Sequence, residues 1–231
     1  MINIKEYWVG LMEGNGSIQV NHWKKRNLGY RLVIKLKYTI ANEKMLKIIS
    51  KNIGGRVKIT SCNNFVIWVE DDKLRIEVII KIFEKYPPLT ARKYCQLEFL
   101  KNCIKHNNVE LYLKERDNKY SNAQFYLFQK DLPSYFPSWL SGFIEAEGCF
   151  SITAKGVLTF TIAQKYEKRL IGSIRDYFNA SNYKVIIRPN ELFEIKIYNK
   201  EILKKIVLHC TNYSLQGEKR VSLDKFKILL K

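Results

Sequence analysis

The stretch Trp139-Leu140-Ser141-Gly142-Phe143-Ile144-Glu145-Ala146-Glu147-Gly148-Cys149-Phe150 organises this chain. An earlier stretch, Trp8-Val9-Gly10-Leu11-Met12-Glu13-Gly14-Asn15-Gly16-Ser17-Ile18, repeats its pattern. Aligned on Gly10 and Gly142, both run Gly, two apolar residues, Glu, small, polar, Gly, and then alternate like a strand. Small residues recur four apart, Gly10 with Gly14 and Gly142 with Ala146, which places each pair on one helix face. Such a face lets two helix backbones approach closely. A plain buried helix contact accounts for that much. Glu147 does not fit it, because it falls on the small face in the last turn, where the helix dipole is negative. A carboxylate there calls for a cation. If the two helices pair through their small faces, Glu147 and Asn15 meet near a pseudo-twofold axis, an arrangement suited to a divalent metal.

The bulk properties narrow the partner. The 231 residues suffice for one large domain or two small ones with their own cores. A formal net charge of +18 points to a polyanion. No apolar run approaches the roughly 20 residues that span a bilayer, and residues 1–6 lack a signal-peptide core. Nucleic acid is therefore expected rather than a membrane. Five cysteines (Cys62, Cys95, Cys103, Cys149, Cys210), odd in number and scattered, imply reduced thiols in an intracellular compartment and no zinc site. His22, His106 and His209 share no ligand spacing. Enrichment in Lys, Asn, Ile, Tyr and Phe fits AT-rich coding DNA and an organellar, mitochondrial gene.

Along the chain, residues 5–14 read as the first motif helix, followed by strands over 17–23 and 30–40 joined at Lys24-Lys25-Arg26-Asn27-Leu28-Gly29. In the second strand Arg31, Val33, Lys35 and Lys37 share a basic face, opposite Leu32, Ile34, Leu36 and Tyr38. A helix over 42–52, strands over 56–61 and 65–70, and helices over 71–86 and 91–107 complete the first half. The second half repeats the order: a motif helix to Gly148, a hairpin over 149–163 turning at Lys155-Gly156, a helix over 166–178, strands over 183–188 and 192–198, and closing helices over 200–210 and 219–230. Residues 38–42 answer 160–164, and 89–93 answer 216–220, at a nearly constant shift. This is an internal duplication. Its divisions are a module over 1–107, a polar linker over 108–137 and a second module over 138–231. The fold class is α+β, two pseudo-twofold-related αββαββα modules whose motif helices pack at the interface.

The two stretches resemble the paired motifs of the LAGLIDADG homing endonucleases and their intron-maturase relatives. Leu140 to Gly148 matches that nonapeptide closely, and Val9 to Gly16 matches a first copy; the resemblance covers almost the whole chain. It implies two four-stranded antiparallel sheets side by side, forming a saddle over DNA, in the single-chain type that acts as a pseudosymmetric monomer. On such sheets one face packs on helices and the other is exposed. The faces expected to meet DNA carry Gln19, Asn21, Arg31, Lys35, Lys37, Arg56, Lys58 and Trp68, with Lys24, Lys25 and Arg26 at the turn. In the second half they carry Ser151, Thr153, Thr159, Thr161, Lys184, Arg188, Lys196 and Tyr198, with Lys155 at the turn. Arg and Lys read guanine and Asn and Gln read adenine in the major groove. Each half covers about one turn, on the order of 10 bp, so the target is double-stranded DNA of about two helical turns.

The resemblance also implies the chemistry. Family members hydrolyse phosphodiesters with Mg²⁺ or Mn²⁺, whereas Ca²⁺ binds without supporting cleavage. Carried over residue by residue, Glu147 is a metal ligand, with the backbone carbonyls of Gly14 and Ala146 beside it. Arg92 and Lys219 are the basic residues near the reacting phosphate, and Gln164 with its counterpart Asn42 takes the polar supporting position. For Arg92, Lys219 and Gln164 the competing account is that they are ordinary polar residues of the surface. The departure is Asn15, an amide where the pattern has an acid, and a weaker ligand for a hard cation. Three accounts stand: a deliberate, nearly isosteric change that holds an uncleaved complex, a degenerate copy kept for RNA binding, or an active enzyme in which the amide oxygen coordinates. The expected function is a site-specific double-strand homing endonuclease with reduced or abolished activity. The alternative is a non-cleaving maturase whose partner is the host intron RNA.

Overall fold

The computed structural model describes residues 2–123, 126, 131–154 and 156–230. The first half runs α1 (Ile4–Asn15), β1 (Gly16–Trp23), β2 (Asn27–Lys37), α2 (Ile40–Ile53), β3 (Arg56–Ile59), β4 (Phe65–Glu70), α3 (Lys73–Lys85) and α4 (Ala91–His106). The stretch read as linker contains a further helix, α5 (Val109–Glu115). It starts where the Asn108 side chain accepts from the Leu111 amide, and it buries Tyr112. The second half runs α6 (Phe136–Glu147), β5 (Gly148–Ile152), β6 (Leu158–Lys165), α7 (Lys168–Tyr177), β7 (Ile186–Arg188), β8 (Leu192–Ile197), α8 (Lys200–Asn212) and α9 (Glu218–Leu229). Each half therefore closes with two helices, one more than the αββαββα shorthand.

Local chemistry sets the helix starts. Side chains of Asn3, Thr39, Asp72 and Asn199 each accept a backbone N–H from the first turn of α1, α2, α3 and α8, satisfying donors that no helical carbonyl reaches. Thr39 starts α2 soon after β2 has ended at Lys37, so the strand expected to run to residue 40 stops short. The strand expected over 183–188 shrinks to Ile186–Arg188.

Both sheets are antiparallel and share one topology, β1-β2-β4-β3 and β5-β6-β8-β7. Pairing of Ile18 with Leu32 and Ile34 with Trp68 puts these side chains on the helix-covered face. Phe160 with Ile197 and Ile162 with Ile195 do the same in the second sheet. One continuous core runs through both halves. Trp8 of α1 anchors it, lying 5.7 Å from the Trp68 ring and 4.9 Å from Phe83.

The halves join where α1 crosses α6. A Cβ built on Gly10 would lie 1.9 Å from the Trp139 carbonyl oxygen, and one on Gly142 would lie 1.9 Å from that of Tyr7. Only glycine lets the two backbones touch there. The reciprocity of these contacts is the pseudo-twofold expected from the repeat.

Candidate nuclease site and nucleic-acid interface

The site sits where α1 and α6 end together. Asn15 and Glu147 are their last residues, and Gly16 and Gly148 begin the strands. A Cβ on Gly14 would fall 2.3 Å from Ala146 Cβ and 3.1 Å from Glu147 Oε1. Glu147 thus leans across the axis into room that only glycine leaves. Burial raises the Glu147 carboxyl above its usual range, against the opposing pull of the Lys219 and Lys93 charges. Among the described residues no hydrogen bond or ion pair reaches it, so the carboxylate is free to take a cation. Asn15 is exposed.

One turn back, Glu13 and Glu145 are buried and lock the following helices to the pair. Glu13 accepts from the Leu89 amide (2.9 Å), the Thr90 amide (2.6 Å) and Trp139 Nε1 (2.6 Å). Glu145 accepts from the Gln216 (3.2 Å), Gly217 (3.0 Å) and Lys219 (2.9 Å) amides and from Tyr7 OH (3.0 Å). Negative charge at a helix start opposes the positive end of its dipole. Burial nonetheless raises Glu13 to about 7 and moves Glu145 in the same direction. The equivalent caps align Leu89-Thr90 with Gln216-Gly217, and hence Arg92 with Lys219.

Two more caps cross between the halves. Asn42 is buried; its Nδ2 donates to the Lys37 carbonyl (2.9 Å) and its Oδ1 accepts from the Glu218 amide (3.0 Å) at the start of α9. Glu167, raised by burial to about 7, accepts from the Ala91 amide (2.6 Å) at the start of α4.

The outer sheet faces are fixed by register. Gln19 faces Arg31, Lys35 faces Ile67, and Arg56 and Lys58 face Val69 and Ile67. Gln19, Asn21, Arg31, Lys35, Lys37, Arg56 and Lys58 therefore share one face, with Lys24, Lys25 and Arg26 exposed at its tip. Asp71 tempers the charge, holding Arg56 through two 2.7 Å hydrogen bonds and approaching Arg31 at 3.6 Å. In the second sheet Ser151, Thr161 and Lys196 share the corresponding face, since Thr161 pairs with both Cys149 and Lys196. Arg188 is paired with Glu194 at 2.9 Å, and Thr153, Lys184 and Tyr198 are exposed.

The model of the LAGLIDADG endonuclease family matches residues 8–103 and 140–230, one segment in each half. The chain belongs to the LAGLIDADG endonuclease family. A probable intron-encoded endonuclease aI3 of Dictyostelium citrinum is 46% identical over 97% of this chain and 94% of its own length. The protein of the same description from Debaryomyces hansenii is 40% identical over 96% of this chain, which spans 37% of that longer protein. Among solved structures, the LAGLIDADG homing endonuclease I-GzeII in complex with its DNA target superposes with a TM-score of 0.79 at 20% identity, covering all of this chain and 90% of that one.

Several of the residues expected at the outer faces or near the reacting phosphate are engaged in other contacts. Trp68 is not on the outer face: it is fully buried, and its Nε1 donates to the Gly54 carbonyl at 2.8 Å. Neighbours along a strand point to opposite faces, so a one-residue error in counting moves a side chain from solvent to core. Thr159 has the outward parity but is buried, its hydroxyl 2.6 Å from that of Ser151. Lys155 lies outside the described residues. Arg92 is exposed and drawn sideways, its guanidinium 4.6 Å from the Tyr120 ring and 5.8 Å from Tyr166. Gln164 is half-buried, and its Oε1 accepts from the Lys165 amide at 3.1 Å. Asn42 spends its amide on the Lys37 and Glu218 backbone groups.

The buried base at this end of the molecule is Lys93, which the sequence reading passed over. Its Nζ donates to the Gly16 carbonyl (2.7 Å) and to Gln96 Oε1 (3.2 Å). Burial lowers it to about 8. The signal was available, because Lys93, Leu97 and Leu100 follow one another at the spacing of a buried helical stripe. A cavity of about 330 Å³ opens between the halves here, lined by Glu13, Gly14, Arg92, Lys93, Gln164 and Glu167 among others.

Proposed function

We propose that this chain is a site-specific, double-strand DNA endonuclease of the intron-homing type that hydrolyses phosphodiester bonds with Mg²⁺ or Mn²⁺. The observation that carries the reading is the Glu147 carboxylate, raised by burial, free of any ionic partner among the described residues, and seated against Gly14 of the opposite motif helix. Glu147, the Asn15 amide oxygen and the Gly14 and Ala146 carbonyls make an all-oxygen donor set of the kind hard divalent cations accept. When bound, the ion supplies an activated water and offsets charge on the leaving 3′ oxygen. The chain's own residues do the rest. Lys219, fixed by the Glu145 cap on its amide, offers a cation for the phosphate beside Glu147. Arg92 is its counterpart in the first half. The outer faces bring Gln19, Asn21, Arg31, Lys35, Lys37 and Lys196 to the major groove, and one chain covers about two turns of duplex as a monomer. Ca²⁺ would occupy the site without supporting cleavage. Organellar expression fits both the composition and the intron-encoded description of the relatives.

The second reading, a non-cleaving maturase that binds its host intron RNA, rests on Asn15, a neutral residue at the end of α1. Cleavage of a plasmid library of randomised sites in Mg²⁺, by the unaltered chain, Asn15→Asp and Glu147→Gln, separates the two. The endonuclease reading expects cutting by Asn15→Asp at least, and none by Glu147→Gln. If neither the unaltered chain nor Asn15→Asp cuts any site while both bind nucleic acid tightly, the maturase reading replaces it.

A further inference from the structure

Of the four tryptophans, Trp8, Trp68 and Trp139 are fully buried, whereas Trp23 is 70% exposed. An indole is mostly apolar, and a tryptophan is on average well buried. Trp23 ends β1, and strand parity puts it on the outer face with Gln19 and Asn21. Across the hairpin it pairs with Asn27, while Asn21 pairs with Gly29. A Cβ built on Gly29 would meet nothing closer than the Asn21 carbonyl oxygen at 4.0 Å. Glycine there leaves a hollow of about 400 Å³, lined by Asn21, Trp23, Arg31 and Asp71 among others.

The tip beyond Trp23 is cationic and is built at a backbone cost. The Arg26 amide donates to the Trp23 carbonyl at 2.9 Å, closing a turn on Lys24 and Lys25. Both of these have positive φ, 48° and 55°. Turns of this kind favour Asn-Gly, because a Cβ crowds the left-handed conformation. The chain places two lysines there instead. The Lys25 amide donates to His22 Nδ1 at 3.1 Å, and the Lys24 ammonium lies 5.7 Å from the centre of the Trp23 ring. The patch continues the row of Gln19, Asn21 and Arg31, whose amide and guanidinium groups suit base edges, so its complement is nucleic acid.

We propose that Trp23 is a further duplex-DNA contact, at the outer end of the first half-site. The indole packs on base edges in the major groove, while Lys24, Lys25 and Arg26 take the flanking phosphates. β1 runs eight residues from Gly16, beside the site, to Trp23, about 23 Å at roughly 3.3 Å per residue. That reach corresponds to about seven base pairs at roughly 3.4 Å each. Covering about 60 Å² of the indole is worth about tenfold in affinity. The major groove of an RNA duplex is too deep and narrow for side chains to read, so the contact favours duplex DNA over duplex RNA.

This contact rests on the outer face being the DNA-binding face, and acrylamide quenching of tryptophan emission tests the two separately. The full chain is titrated in EDTA with a random-sequence DNA duplex of about two helical turns, and binding itself is followed by the anisotropy of a label on the duplex. The readily quenched emission should be missing from Trp23→Ser, shielded by duplex DNA in the unaltered chain, and left open by an RNA duplex of the same length. Trp23→Ser should bind the DNA about tenfold more weakly, with its melting temperature unchanged because the side chain is exposed. If the DNA binds but the emission stays quenchable, or Trp23→Ser binds as tightly as the unaltered chain, the Trp23 contact falls and the outer-face reading stands. If no duplex binds, or Lys35→Gln/Lys37→Gln leaves binding unchanged, the outer-face reading falls and the contact with it. Equal shielding by the RNA duplex refutes entry into the major groove.

Discussion

Adding one methyl group at Gly142 tests the account of how the halves join. The Cβ of an alanine there would lie 1.9 Å from the Tyr7 carbonyl oxygen, 2.8 Å from its carbon and 2.9 Å from the Leu11 nitrogen. All three are backbone atoms of a helix and cannot rotate aside. The helices must separate by about 1.5 Å to restore ordinary contact distances. Overpacking of this kind costs about 1–3 kcal/mol and sometimes more, against a gain of about 1 kcal/mol in helix propensity. A rigid backbone crossing belongs at the severe end, so the net loss should be about 2–4 kcal/mol, a melting temperature lower by about 5–15 °C. Gly172 is the internal control. It also lies within a helix, α7, but nothing stands within 4 Å of its built Cβ. Gly172→Ala should therefore stabilise by about 0.5–1 kcal/mol. Thermal and urea denaturation of both variants decides the matter. If Gly142→Ala melts with the unaltered protein, or Gly172→Ala costs as much as it does, the close crossing of α1 and α6 is wrong.

Other outcomes follow from the same geometry. Asp71→Asn frees Arg31 and Arg56 on the outer face, so non-specific duplex affinity should rise and the slope of log K against log salt should steepen by up to about 2; weaker binding in salt-titrated filter assays would mean that Asp71 aims the arginines instead. Gly217→Ala puts a Cβ 2.7 Å from both Asn42 Oδ1 and Glu145 Oε1, and a lowered urea midpoint should report the broken cap of α9. Glu13 and Glu167 are raised by burial from 4.5 to about 7, so between those values the folded chain holds protons that the unfolded chain has released. Stability should fall as pH rises from about 5 to 7 and level off above. His209, lowered by burial to about 4, acts in the opposite sense as pH falls below 6.5. In urea midpoints measured across pH 5–8, Glu167→Gln, which keeps an acceptor for the Ala91 amide, should flatten the decline; an unchanged slope would exclude Glu167 as a source of it.

Local pattern carried most of the architecture. The motif helices, hairpins and basic outer face of β2 were legible because amphipathic alternation and glycine spacing are properties of neighbouring residues. β4 was harder. Both of its faces are apolar, Phe65, Ile67 and Val69 on one and Val66 and Trp68 on the other, so no contrast told which way Trp68 pointed. Arg92 and Lys93 are adjacent cations at the start of one helix, about 100° apart around its axis. Which of them enters the interior depends on where α4 docks. The Asn42 and Glu167 caps join residues from opposite halves and leave no local trace. Helix α5 did leave one, Asn108 before Val109 and Tyr112, but it was short enough to pass as linker.

The reciprocal clasp of the two motif acids bears on how such a chain changes over time. Tyr7 of one helix holds Glu145 of the other, and Trp139 holds Glu13 in return. After duplication of an ancestral module, each half carried the clasp for its sibling rather than for itself. A new residue at position 7 is judged by the acid at 145, and one at 139 by the acid at 13. Sheet-face residues such as Gln19 or Lys196 carry no such bond and can diverge separately. Halves exchanged between relatives should work together when clasp and acid are traded as a set, leaving the reading surfaces free to be shuffled.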